Sequence, residues 1–230
     1  MTDDPERLTP RDLDSMTVPL WEQAREALRA GDTERAEQLV DRAVEQWRSL
    51  QNYSINWITS LLSFVGRELG EDGVERALRA TGEEFVRDRR DPQWDHLPAA
   101  VRAKAIARAM VANFGECEVE EDDEKIVLSF RCGTGGRLID EERYGDDGYL
   151  VLRERGPQTF MRDELPVYCA HCSVNNEMQP VEWGRRPVTV EYPPDGPGGR
   201  CVHHVYRDTA AMPAEVYERI GKVPPESGTD

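Results

Sequence analysis

Three of the five cysteines and three of the four histidines fall in two short segments, Tyr168-Cys169-Ala170-His171-Cys172 and Cys201-Val202-His203-His204. A Cys-x-x-Cys turn lets two thiolates converge on one ion, and a second Cys/His pair can complete a tetrahedron. Thiolate and imidazole ligands together favour zinc over hard cations. On this reading Cys169, Cys172, Cys201 and His203 are the metal ligands. If 201–207 is a strand, alternation puts Cys201 and His203 on one face and His204 on the other; a tight turn would select His204 instead. Cys132 sits at the end of another strand pattern. Four thiolates from Cys132, Cys169, Cys172 and Cys201 would suit structural zinc or an iron–sulfur cluster.

Cys132-Gly133-Thr134-Gly135-Gly136-Arg137 offers a second kind of chemistry. Glycines after a strand bring backbone N–H groups close to a ligand, so Gly135 and Gly136 are candidate substrate contacts. Arg137 can take a carboxylate in a two-pronged contact. A thiol at the mouth of such a loop is a candidate nucleophile, which makes Cys132 catalytic, with His171 and His204 as proton carriers. The loop is neither a P-loop nor a dinucleotide fingerprint, and no helix is evident after it. Glu177 and Glu182 flank the second Cys-x-x-Cys half and are weaker acid–base candidates.

These segments need elements to position them. A helical stripe (Trp21, Ala24, Ala27, Leu28) stops at Gly31-Asp32. Ala36, Leu39, Val40, Ala43, Val44 and Trp47 mark a second helix. A third, carrying Ile55, Ile58, Leu61, Leu62 and Val65, spans about residues 54–69, and a fourth about 74–90 after Gly70-Glu71-Asp72-Gly73. Asp91-Pro92 opens a linker rich in helix breakers. A fifth helix covers 99–114, with Val101, Ile106, Met110 and Val111 buried. At Gly115 the period changes to two: a hairpin leads into a strand at 125–131, with further strands at 149–153, 187–192 and 201–207. A short helix, about 213–221, precedes a polar tail.

The fold class expected is α+β: an N-terminal helical bundle (1–95), then a mostly antiparallel sheet domain (96–230) carrying a Cys/His metal cluster. With 32% charged residues and a net charge of −16, the surface repels phosphate backbones and anionic lipid, so neither nucleic acid nor membrane is an expected partner. No apolar run reaches membrane-span length, and the first residues lack a signal-peptide pattern, so a cytoplasmic location is expected. In a reducing compartment paired cysteines serve as ligands or reactive thiols rather than disulfides.

The Cys132–Leu138 loop together with Tyr168–Cys172 resembles an uncharacterised bacterial family that pairs a CG[ST]GGR loop with a later YCxHC motif and a terminal cysteine before an aromatic strand. The match covers about residues 100–207. It implies that Cys132, Cys169, His171, Cys172 and Cys201 belong together, and it carries over no activity. The preceding helices are distantly similar to proteins related to L-2-amino-thiazoline-4-carboxylate hydrolase, and more loosely to vinyl-reductase-type sensor domains. The functional expectation is a zinc protein that binds or acts on a small carboxylate-bearing molecule, as a hydrolase or lyase. The alternatives are a ligand-sensing or protein-interaction module with structural zinc, or an iron–sulfur or thiol redox protein. A small-molecule ligand is the expected partner, with a protein partner or second copy as further options.

Overall fold

The computed structural model describes residues 7–89 and 93–225. The linker residues Asp91 and Pro92 and the last residues of the polar tail lie outside them. The chain divides into two compact units, Met1–Ser54 and Ile55–Asp230.

In the first unit, α1 (Pro10–Thr17) and α2 (Leu20–Arg29) precede α3, which runs from Thr33 to Leu69 and contains the division point. Gly31, at φ +78°, ends the first hairpin arm, and Asp32 accepts the Arg35 N–H to start the next. Leu20, Ala24, Ala27, Ala36 and Leu39 form the core of this unit. Only part of each expected stripe is buried: Trp21, Leu28, Val40, Val44 and Trp47 are exposed. The two helices expected between residues 36 and 69 are one, because no proline or glycine interrupts 33–65.

In the second unit, α4 (Glu71–Thr81) passes through a π-helical turn, Gly82–Val86, into the short α5 (Arg87–Arg89). The helix α6 (Ala99–Ala112) buries Ala99, Arg102, Ala103 and Ile106. Val101 and Val111, expected inside, are exposed. The buried face is thus small and alanine-rich, letting the helix lie close on the sheet, with Arg102 donating to the Leu97 and Tyr206 carbonyls. The sheet contains β1 (Glu116–Glu121) and β2 (Lys125–Arg131). After the helix α7 (Gly135–Asp140) come the two-residue strands β3 (Val151–Leu152) and β4 (Leu165–Pro166), which pair with each other. A helical run from Val167 ends in α8 (Gln179–Glu182), followed by β5 (Val190–Tyr192), β6 (Cys201–Tyr206) and α9 (Ala214–Glu218).

The main sheet has the order β1-β2-β6-β5 and is antiparallel throughout. Register places Phe130 opposite Cys201, Leu128 opposite His203, and His203 opposite Glu191. Directly opposed residues share a face, so Leu128, Phe130, Cys201, His203 and Glu191 lie on one side. There α6 packs on Ile126, Leu128, Phe130, Cys201 and Val205. The other side holds Val190 and Tyr206 against Met212, Val216 and Tyr217. The α+β order is as expected, but the sheet does not carry the metal-binding Cys/His cluster expected of it: among the described residues no three or more His, Cys, Asp or Glu side chains are placed to hold an ion. No helix among the described residues is long and apolar enough to cross a membrane.

Candidate functional site

Segments distant in sequence meet in one cleft. Cys132, Thr134, Gly135 and Gly136 come from the β2–α7 junction; Tyr168, Cys169, His171, Cys172 and Asn176 from the helical run; Glu191, Pro193 and Pro194 from the end of β5; and Cys201 and His203 from β6. The cleft encloses about 480 Å³ counting its open mouth, but the room for the centres of water-sized molecules is only about 60 Å³. Ligand pockets for drug-sized molecules run to several hundred cubic ångströms, so this one takes a compact occupant.

Each wall is fixed by the local chain. The helical run docks on α4: Asn175 donates to the Leu78 carbonyl at 2.8 Å and Gln179 to the Arg79 carbonyl at 3.0 Å. The Ser173 hydroxyl donates to the Gln158 carbonyl at 2.5 Å. The Pro193–Pro194 lip is held by Arg162, which donates to both proline carbonyls and pairs with Asp195 at 2.7 Å. The glycines act through their missing side chains. A Cβ on Gly135 would stand 2.7 Å from the Tyr168 ring and 3.4 Å from Cys169 Sγ, and one on Gly136 would stand 2.7 Å from Cys132 Cβ. The two 2.7 Å distances are too short for ordinary packing. The loop does open a helix, contrary to expectation; Gly135 allows its close approach to Tyr168, and Gly136 allows the loop to turn back on Cys132.

Two thiols are paired with imidazoles. Cys201 Sγ lies 3.3 Å from His203 Nε2, and Cys172 Sγ lies 3.6 Å from His171 Nε2. His171 Nδ1 is 2.6 Å from the Tyr168 carbonyl. A carbonyl only accepts, so Nδ1 carries the proton and Nε2 is left to accept from Cys172. Burial pushes the Cys169, Cys172 and Cys201 thiols above the usual range and pushes His203 down, against the charge of Glu191. Cys132 Sγ is 3.1 Å from the Thr134 hydroxyl.

Zinc on Cys169, Cys172, Cys201 and His203, and an iron–sulfur cluster that adds Cys132, are therefore both corrected. The finding is the absence, among the described residues, of any group of three or more side chains placed to hold an ion. The thiols and imidazoles make their close contacts two by two, Cys201 with His203 and Cys172 with His171.

The remaining candidates divide. His203 lines the cleft, while His204, on the opposite side of β6, packs between Tyr192 and Tyr206 at ring distances of 4.9 and 6.3 Å. Arg137 is engaged by Glu141 at 2.7 Å and by Asn56 at 3.0 Å instead of facing the cleft. Glu182 pairs with Arg79 and Lys222. Glu177 is fully buried, held by Arg219 at 2.5 Å and by the Glu191 N–H at 2.6 Å. Sequence reasoning missed Glu191 and Asn176. Glu191 alternates with Val190 and Tyr192, a pattern that reads as solvent-facing, yet both sides of this sheet are covered. The signal that could have found it is its place one strand from a Cys-x-His pair.

Comparison of the chain with family models, with curated proteins and with solved structures found no match.

Proposed function

We propose that the chain performs thiol-dependent chemistry on a compact electrophilic small molecule in this cleft. The observation that carries the reading is that two thiols in one open cleft each have an imidazole nitrogen within hydrogen-bond reach. Nucleophile beside base is the arrangement that activates a thiol whose own acidity is low. Cys132, with Gly135 and Gly136, forms the substrate side, as the glycine loop leads one to expect. The small free volume and the largely apolar lining select an uncharged molecule a few atoms across. No metal enters this reading.

The test is alkylation of the folded protein by iodoacetamide, with each cysteine mapped by peptide mass, alongside a bulky maleimide. The compact reagent is expected to reach cleft cysteines ahead of Cys117, which lies on β1 outside the cleft, while the bulky one does not pass Cys132. Modification of Cys117 alone in the folded state sinks the proposal.

A further inference from the structure

Glu191 and His203 stand out within the cleft. They are 2% and 3% exposed, and Glu191 Oε2 and His203 Nδ1 are buried without a hydrogen-bond partner. Unpaired polar atoms in the interior carry an uncompensated desolvation cost, so they call for an explanation. The neighbouring atoms supply one. His203 Nδ1 is 3.8 Å from Glu191 Oε1, and on the other side of the ring Nε2 is 3.3 Å from Cys201 Sγ. If Cys201 donates its S–H to Nε2, the ring proton resides on Nδ1 and faces a carboxylate oxygen. The opposite tautomer would set a lone pair against that oxygen. The order is nucleophile, base, carboxylate.

The carboxylate is itself braced. Asn176 donates to Glu191 Oε1 at 3.0 Å, and the Glu191 N–H donates to Glu177 at 2.6 Å. The imidazole is braced by Phe130, whose ring meets it edge-on at 5.1 Å between centroids. A hydrogen bond from Nδ1 to Glu191 needs a closure of under about 1 Å, within the tightening seen when catalytic sites take up substrate.

We propose that Cys201, His203 and Glu191 form an acyl-transfer relay, with Cys201 as nucleophile, His203 as general base and then acid, and Glu191 as positioning residue. The substrate class is a compact acyl ester. This rests on the reading above that the cleft admits small electrophiles. Cys201 Sγ bonds to the acyl carbon while its proton passes to His203 Nε2, and the carbonyl electron pair moves onto oxygen. As the tetrahedral adduct collapses, the acyl C–O bond breaks and His203 returns the proton to the departing alkoxide. Water then attacks the thioester and gives its proton to His203; the C–S bond breaks, and the Cys201 thiolate takes the proton back. The sum is ester plus water to acid plus alcohol, with no change of oxidation state. Glu191 favours the transient imidazolium by accepting from Nδ1. The constellation suits acyl transfer because one proton serves nucleophile and leaving group in turn. The narrow cavity restricts the acyl group to one of acetyl size.

The experiment uses vinyl acetate, an acyl donor with a compact leaving group, with acetyl-protein located by peptide mass and turnover followed by acetaldehyde release. Acetyl is expected on Cys201, and Cys201→Ala is expected to lose the adduct. His203→Gln is expected to slow acylation by about 10²–10⁴-fold, the usual contribution of a positioned base. Glu191→Gln is expected to lower kcat with KM unchanged, the mark of an interaction made in the transition state. Circular dichroism of each variant reports folding, and Cys201→Ser provides a near-isosteric second variant. Acetyl on Cys132 or Cys172 in place of Cys201, or an unchanged acylation rate in folded His203→Gln, overturns the relay. If iodoacetamide enters the cleft and acetyl never reaches Cys201, the relay fails and the thiol cleft stands; if neither reagent enters, both fail.

Discussion

His171 and His203 both sit beside a cysteine in the same cleft, yet they are held in different ways. His171 follows from local chain geometry: Cys172 is its sequence neighbour, and its other nitrogen is tied to a carbonyl three residues back, at Tyr168. Everything that orients it lies within one helical turn. His203 is oriented by other strands: Phe130 on β2 against its ring and Glu191 on β5 beside its Nδ1. The first imidazole faces a neutral dipole and the second a carboxylate. The second has, in Glu191, a partner that can balance the charge of an imidazolium. Similar contact distances to sulfur therefore do not make equivalent pairs.

The comparison can be broken most forcefully at Phe130. Its side chain is fully buried against α6 and against His203. Phe130→Ala is expected to cost about 3–5 kcal/mol in urea unfolding and to release His203, so that Cys201 loses its reactivity difference from Cys172 in site-mapped alkylation. Retention of that difference in the folded variant would mean that β2 does not orient the ring.

A second probe addresses the support of Glu191. Burial raises the Glu177 carboxyl to about 8, against the downward pull of Arg219 and the Glu191 N–H. The folded protein therefore holds a proton that the unfolded chain, at 4.5, has released. The stability this gives is full below about pH 4.5 and is lost as pH rises to about 8, on the order of a few kcal/mol. Urea unfolding across that range is expected to show the decline, and Glu177→Gln is expected to flatten it. A pH-independent wild type would show that the Arg219 pair outweighs desolvation.

Gly135→Ala attacks the other pair. The added methyl stands 2.7 Å from the Tyr168 ring, so the segment that holds His171 must shift, at about 1–3 kcal/mol. Iodoacetamide labelling is expected to change at Cys172 more than at Cys201. The reverse order would show that the glycine loop supports β6 instead. The smallest effect is expected at His204→Ala, about 0.5–1.5 kcal/mol from the lost contacts to Tyr192 and Tyr206. Because His204 lies off the cleft, Cys201 labelling is expected to keep its rate. A slowed rate would erase the distinction between the two adjacent histidines.

The amino-acid sequence determined a good deal of this through periods and local geometry. The two-residue alternation of 125–131 and 201–206 made β2 and β6 legible and put Cys201 on the same side as His203. Gly31-Asp32 marked the break between helices, and the Cys-x-x-Cys spacing brought Cys169 and Cys172 to one helical run. The tertiary structure decided what these residues face. It turned Glu191 inward because helices cover both sides of the sheet, sent Arg137 to Glu141 and Asn56, and paired thiols with imidazoles instead of gathering them around an ion. The physical reason is that spacing along a strand or helix fixes only which side chains share a face. Whether that face meets water, a carboxylate or another thiol depends on register and packing between segments far apart in the chain, and no local pattern carries that information.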